Sequence, residues 1–504
     1  MSRYLKIAMF AGKQASQAFL LFLSLGAWSI GSAVGSSPDE DYVLTSIWCG
    51  TEGNTPYCLI DPNKPNAMIL PIMVAEPQLC YLQTGQDYSA RCQEGIYNQE
   101  ISTELFNRGL NPDRYFDVQR SFVGVDVESS VVKMRLLNSF LAAVLIISAS
   151  AFFWKKNSDL LLAWLAVIAP VTSYFIASVN TSSWNLIGVT IFAITFFSAL
   201  RNRKDMKLCV PAGAVALFAV WFTNSSRYEG KYVILLLAAA ILYSEFTSKM
   251  LRFNKKSALS SLAILTLVYL IYNYFAVAYG RLNIFDDPRV EVNDGITTTA
   301  NNLLIQNFIN LPRFIMGFFG GWGLGWFELE LSHTVWLFTL QAFLLTTVFA
   351  LRKSNNAHRM IFGALFVTMC IAILYANQGA FSKVGNVIQP RYFLPFFLGI
   401  VIIAAANKTE RYPNSLVITV AILATISNSI ALRDTIRRYT TGQDVFISKS
   451  LNNPIEWWWQ FGPQPETIWL TGTLAFAALW ALLIYDRNKN EIDTPNSPAP
   501  ELSN

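Results

Sequence analysis

Charge is scarce in this chain. Asp, Glu, Lys and Arg together supply 14% of its 504 residues, where an ordinary soluble domain carries roughly 25%. That is too little to solvate the surface of a globular fold this long, which argues against a soluble multidomain protein. Histidine is rarer still, with only His333 and His358, so a His-rich metal site or a histidine-based triad lacks material. A phosphate-cradling loop is missing too. The glycine-rich residues 317–325 follow no expected strand and carry no Lys-Ser or Lys-Thr, so nucleotide-driven transport has no support. No internal repeat of fixed period is visible. The net charge of +5 is modest, and its distribution points to a membrane rather than to nucleic acid.

What the chain has instead is apolar length. Hydrophobic residues make up 53% and aromatics 14%, and mean hydropathy is +0.36. The apolar residues cluster in blocks of roughly 18 to 22, the length that crosses a bilayer core as helix. An all-α polytopic membrane protein of about twelve transmembrane helices is predicted. The spans are 14–35, 133–154, 160–178, 183–200, 208–223, 231–248, 258–279, 334–351, 360–376, 392–407, 414–431 and 467–485. Basic residues fall in alternate connectors. Arg3, Lys6 and Lys13 precede the first span, Lys155 and Lys156 follow the second, and Arg201, Arg203, Lys204 and Lys207 the fourth. Lys249, Arg252, Lys255 and Lys256 follow the sixth, Arg352, Lys353 and Arg359 the eighth, Lys408 and Arg411 the tenth, and Arg487 and Lys489 the last. The positive-inside rule then puts both termini in the cytoplasm and the long loops outside a plasma membrane.

The expected organisation is a first transmembrane helix within 1–35, an extracytoplasmic loop at 36–132, a transmembrane core at 133–485 and a cytoplasmic tail at 486–504. Within the core, 280–333, 377–391 and 432–466 are outer loops. Residues 301–322 are apolar enough to touch the bilayer, but Pro312 and Gly317, Gly320, Gly321, Gly323 and Gly325 interrupt them. A re-entrant or interfacial helix before the eighth span is the expectation. The first span has the flanks of a signal peptide, yet the charge alternation works with it retained. Four of the six cysteines, Cys49, Cys58, Cys80 and Cys92, lie in the first outer loop. An even set on the outer face reads as two disulfides, and the pairs Cys49–Cys58 and Cys80–Cys92 each close a short loop containing Gly or Pro.

Three constellations carry potential chemistry. Pro38-Asp39-Glu40-Asp41 begins just past the first span. Consecutive carboxylates at a membrane surface repel one another, so at least one pKa should rise, which suits a general base; a solvated turn capping the following helix is the plainer reading. Gln389, Arg391 and Tyr392 stand where an outer loop enters the tenth span. A guanidinium there needs a carboxylate, a phosphate or a lipid headgroup, or snorkels as an anchor. Arg227 opens the sixth span on the same face, and several such cations would suit a phosphate-bearing lipid. Third, Trp326 and Glu328 lie in Gly325-Trp326-Phe327-Glu328, either an interfacial belt with loop acids or part of a site. Trp457-Trp458-Trp459 reads as a belt or surface anchor.

Taken in order, these motifs resemble a bacterial family of polytopic membrane proteins, the domain-of-unknown-function family number 2142, similar in layout to the GT-C superfamily of glycosyltransferases. The resemblance covers roughly residues 15–485. It rests on Pro38-Asp39-Glu40, Arg135-Leu136-Leu137, Ser178-Val179-Asn180, Arg227, Gly325-Trp326-Phe327-Glu328, and Gln389 with Arg391-Tyr392-Phe393-Leu394-Pro395. The chain departs from the family pattern at Val43 (often His), Thr181 (Pro), Glu328 (Asp) and Pro390 (Gly). The resemblance implies a membrane glycosyltransferase that moves a sugar from a polyprenyl-phosphate donor to a cell-envelope glycan or lipid-linked acceptor on the outer face. Asp39 would be the base with Glu40 its partner, and Arg391 the contact to the lipid phosphate. Tyr392, Gln389, Arg227, Glu328, Trp326 and Asn180 would complete the substrate site. No cofactor is required and no nucleic acid is expected; a divalent metal is possible but has no support in the residues. A flippase for lipid-linked glycans and a non-catalytic envelope-assembly protein are the competing classes.

Overall fold

A computed structural model describes residues 3–50, 55–82, 88–153, 159–168, 170–247, 289–292, 295, 297–443 and 450–492. The expected span 258–279, the start of the 280–333 loop and the end of the tail lie outside these residues. The helices are α1 (Arg3–Ile30), α2 (Glu40–Cys49), α3 (Ile72–Ala75), α4 (Leu79–Leu82), α5 (Gln93–Ile96), α6 (Asp113–Arg120), α7 (Val127–Phe153), α8 (Asp159–Ile168), α9 (Val171–Ile176) and α10 (Ser182–Arg201). There follow α11 (Met206–Asn224), α12 (Gly230–Thr247), α13 (Ala300–Ile309), α14 (Leu311–Met316), α15 (His333–Arg352), α16 (Asn356–Gly379), α17 (Leu394–Ala406), α18 (Asn414–Thr440) and α19 (Pro465–Ile492). The protein is a mostly helical, polytopic membrane protein. Among the described residues, seven helices are long and apolar enough to cross a bilayer: α7, α10, α11, α15, α16, α18 and α19.

Residue character decides which helices are interior. Every residue of α17 is buried, as suits a helix apolar on all sides, and α10 packs between α7, α11 and α17. By contrast Leu217 and Trp221 of α11 and Val367 of α16 stay exposed, a surface suited to lipid. α1 lies against α7 and α19. Polar pairs fix the registers: Ser29 meets Ser139 at 2.8 Å, and the Trp28 indole donates to Asn428 at 3.1 Å.

Three expectations need correction. The block 160–178 is two helices, α8 and α9, parted at Pro170, whose missing N–H and ring cannot continue the ladder. α18 runs beyond residue 431 to Thr440. Its last turn is covered by the first loop, where buried Arg438 donates to the Tyr81 carbonyl at 3.3 Å and to that of Tyr88. The tryptophan triplet is no surface belt, since Trp457 and Trp459 are buried. The Trp459 indole donates to the Ile30 carbonyl at 2.7 Å, satisfying an orphan acceptor at the end of α1.

Residues 301–322 are interrupted as expected. α13 stops at Asn310, Pro312 sits in the first turn of α14, and a 3-10 turn at Gly317–Phe319 leads into the glycine-rich loop. In the segment between α1 and α7 both expected disulfides form, Cys49–Cys58 and Cys80–Cys92. Around them Leu59–Ile60, Met68–Pro71 and Glu100–Thr103 make a small antiparallel sheet. This segment and the ends of α1, α9, α10 and α17 enclose the motif residues.

Candidate active site

The site is built from the end of α1. A helix terminus leaves carbonyls without donors, and Arg135 of α7 supplies them to the turn that follows Ile30. It donates to Ser32 O at 2.6 Å and Ala33 O at 2.8 Å. The same guanidinium grips Glu40 through Nε–Oε1 at 3.1 Å and Nη2–Oε2 at 2.8 Å, and both side chains are buried. Glu40 also accepts from the Ser37 and Val179 backbone N–H groups. Its oxygens are therefore committed, and the pair staples the turn at 32–40 between α1 and α7.

Asp39 stands at the position before α2 but does not cap it. Its backbone is left-handed, φ 65 and ψ 7, and its carboxylate accepts nothing from the helix. An Asp tolerates this conformation better than most residues. Two donors hold the preceding carbonyl: Asn180 Nδ2 at 2.8 Å and Arg391 Nη1 at 2.6 Å both reach Pro38 O. With the peptide so pinned, the Asp39 carboxylate turns to Arg391 and forms an ion pair with its Nη2. The Arg391 side chain is 1% exposed and that of Asp39 is 39% exposed. Asp41 points elsewhere, accepting from Gln78 Nε2 and the Tyr42 N–H, both at 2.7 Å. Burial pushes its pKa up to about 6. The three consecutive acids thus take three different partners, and a raised pKa falls on Asp41.

Arg391 lies in the 3-10 turn Pro390–Tyr392 that opens α17. Its Cζ sits 5.5 Å from the Phe175 ring and 5.0 Å from the Tyr392 ring, while its Nε has no hydrogen-bond partner among the described residues. Arg227 reaches the same place from the start of α12. Its Nε donates to Thr181 Oγ1 at 3.1 Å, and its Cζ stands 5.1 Å from the Tyr392 ring. A cavity opens here, lined by Arg391, Gln389, Phe175, Trp322, Gly325 and Phe327 among others. Gln389 Oε1 is buried there without a hydrogen-bond partner among the described residues.

The glycine-rich loop forms the opposite wall. The Trp326 indole donates to Gly35 O at 2.8 Å, fastening the loop to the first motif. Gly325 has φ +62, and a Cβ on it would come within 2.3 Å of Glu328 Oε2. Glu328 accepts from Tyr439 OH at 2.9 Å through Oε1, while Oε2 has no partner among the described residues. Burial raises its pKa, with Arg438 opposing.

Of the residues singled out in the sequence, Arg391 and Gln389 line the cavity; Asp39 pairs with Arg391, Arg227 and Arg391 both lie against the Tyr392 ring, Asn180 holds the Pro38 carbonyl and Trp326 holds the glycine-rich loop. Glu40 faces Arg135 instead, and Glu328 faces Tyr439. Arg135, Phe175, Thr181 and Gln78 had no assigned role. Arg135 had a usable signal, because an arginine in an apolar block demands a carboxylate partner; Phe175 and Gln78 had none.

A family model described as a predicted membrane protein, DUF2142, matches residues 22–400. The chain belongs to the DUF2142 family. No curated protein and no solved structure matches it. All six motifs that carry the resemblance to DUF2142 fall within the matched residues. In this DUF2142 chain they touch one another: Glu40 with Arg135, Pro38 with Asn180, Asp39 with Arg391, Arg227 with Tyr392, and Trp326 with the turn at Gly35.

Proposed function

We propose that this protein is an integral-membrane glycosyltransferase of the GT-C type, moving a sugar from a polyprenyl-phosphate donor to a hydroxyl of an envelope glycan or lipid-linked acceptor on the outer face. The observation that carries the reading is the pairing of a half-exposed carboxylate, Asp39, with a buried guanidinium, Arg391, beside a small cavity walled by α9, the glycine-rich loop and the turn that opens α17. Such a transfer needs a proton acceptor for the attacking hydroxyl and cations for the leaving phosphate. Asp39 supplies the first. Arg391 and Arg227 supply the second.

In the reaction, the acceptor oxygen bonds to the anomeric carbon and the bond from that carbon to the phosphate oxygen breaks. The electron pair leaves on the phosphate beside the arginines, and the hydroxyl proton passes to Asp39. The basic residues of alternate connectors favour a cytoplasmic location for both termini, which puts the motif cluster on the outer side. A preformed lipid-linked donor suits that side, where nucleotide sugars are generally absent.

The test is reconstitution of the purified protein in liposomes with a panel of radiolabelled polyprenyl-phosphate sugars and extracted envelope glycans as acceptors. Transfer of label to an acceptor supports the reading. Movement of fluorescent lipid-linked glycan across the bilayer without any transfer would replace it with a flippase.

A further inference from the structure

We infer that Arg227 and Arg391 together form a receptor for the phosphate of an isoprenoid lipid, and that the Asp39 carboxylate occupies this receptor until the lipid displaces it. The inference rests on the glycosyltransferase reading but assigns something further: an internal competitor for the phosphate position that doubles as the base.

Four observations support it. First, the charges around Tyr392 do not balance. Both guanidiniums stand over its ring, at 5.1 and 5.0 Å, and among the described residues Asp39 is the one carboxylate in an ion pair with either. Glu40 is neutralised by Arg135 and Asp41 is turned to Gln78. An excess of positive charge at a partly dry site invites an anion. Second, among the described residues the Arg227 guanidinium makes one hydrogen bond, from Nε to Thr181 Oγ1, which leaves both of its Nη groups to a ligand oxygen. Third, Arg391 is buried on the cavity wall with its Nε unpartnered; a buried charged donor left without an acceptor is costly unless a ligand completes it. Fourth, Asp39 is placed as a movable counterion. Pro38 O is pinned by Asn180 and Arg391, so the backbone stays, while the half-exposed carboxylate makes no capping bond that would retain it.

A phosphate oxygen on Arg391 would take the position that the Asp39 carboxylate now holds. The carboxylate, released from its cation, would then be free to accept a proton from the acceptor hydroxyl. Donor would therefore bind before the base is unmasked, which gives an ordered mechanism.

The experiment titrates undecaprenyl phosphate into the full-length protein in detergent and compares four variants with wild type. Asp39→Asn and Asp39→Gly both suit a left-handed backbone, so either reports if the other misfolds. Each should bind the lipid phosphate about tenfold more tightly than wild type, because the competitor is gone. Arg227→Gln should bind at least about tenfold more weakly, one lost charge-assisted contact. Asp113→Asn, at an exposed acid near Asn107 that does not touch Arg391, should stay within about twofold of wild type, as screening at a surface predicts. Unchanged or weaker binding in both Asp39 variants, wild-type binding in Arg227→Gln, or equal tightening in Asp113→Asn overturns the inference. Inorganic phosphate that binds as well as the lipid also overturns it. The readout involves no sugar, so this pattern can hold while a transfer assay fails, and can fail while transfer succeeds.

Discussion

Asp39 and Arg391, 352 positions apart in the sequence, meet as an ion pair in which only the carboxylate reaches solvent. The pair joins the turn after α1 to the entry of α17, with Asn180 on the Pro38 carbonyl and Arg227 across the Tyr392 ring beside it. Its neighbour Glu40 does different work. The distinction between a fixed structural acid and a displaceable one generates most of the testable consequences.

Glu40→Gln removes the counterion of buried Arg135, and breaking a buried pair from one side costs about 3–5 kcal/mol. The purified variant should melt well below wild type, and Arg135→Met combined with Glu40→Gln should recover part of the loss. A Glu40→Gln protein that melts with wild type would show that the pair is not what holds the α1–α7 turn.

Asp41 predicts a pH dependence. Burial holds its folded pKa at about 6, above the ordinary 3.8, so the folded chain binds the extra proton. The stability this group contributes is full below about pH 4. It is lost as pH rises through about 6, and the two-unit shift is worth on the order of 3 kcal/mol. Other carboxylates slope the opposite way, so the quantity to measure is the difference between wild type and Asp41→Asn in melting temperature from pH 4 to 8. The variant should gain on wild type as pH rises. A constant difference contradicts the assignment.

Gly325 is confined by its left-handed φ and by Glu328. Gly325→Ala adds strain of roughly 1–2 kcal/mol from the backbone alone, and its Cβ displaces the Glu328 carboxylate. Both the melting temperature and undecaprenyl phosphate binding should fall, and Glu328→Gln combined with it should not restore either, since a glutamine fills the same space. Unchanged melting in Gly325→Ala would mean that the loop is free to move.

The sequence carried the long-range features best where physics is one-dimensional. Bilayer thickness demands apolar blocks of fixed length, so the helices could be read from hydropathy, and of the three possible cysteine pairings the one that closes two short loops is the one that forms. Pro170 could have been read as a break, but the apolar run across it masked the signal. What one dimension could not carry is which acid meets which arginine. Asp39, Glu40 and Asp41 are chemically alike and adjacent, and only the packing of α1 against α7 sends Glu40 to Arg135 while a left-handed turn sends Asp39 to Arg391. Likewise Trp459 resembles a membrane-belt tryptophan until the carbonyl at the end of α1 is seen to claim its indole.

The central claim, that Asp39 takes the proton of the acceptor hydroxyl, is tested most directly by comparing wild type and Asp39→Asn in the reconstituted sugar-transfer assay, with melting temperature recorded on the same preparations. Loss of a general base costs on the order of 10²–10⁴ in rate. The account predicts a fall of that size in the variant at saturating lipid donor, with melting within a few degrees of wild type. Transfer by Asp39→Asn at the wild-type rate would contradict it and leave the carboxylate as no more than a counterion for Arg391.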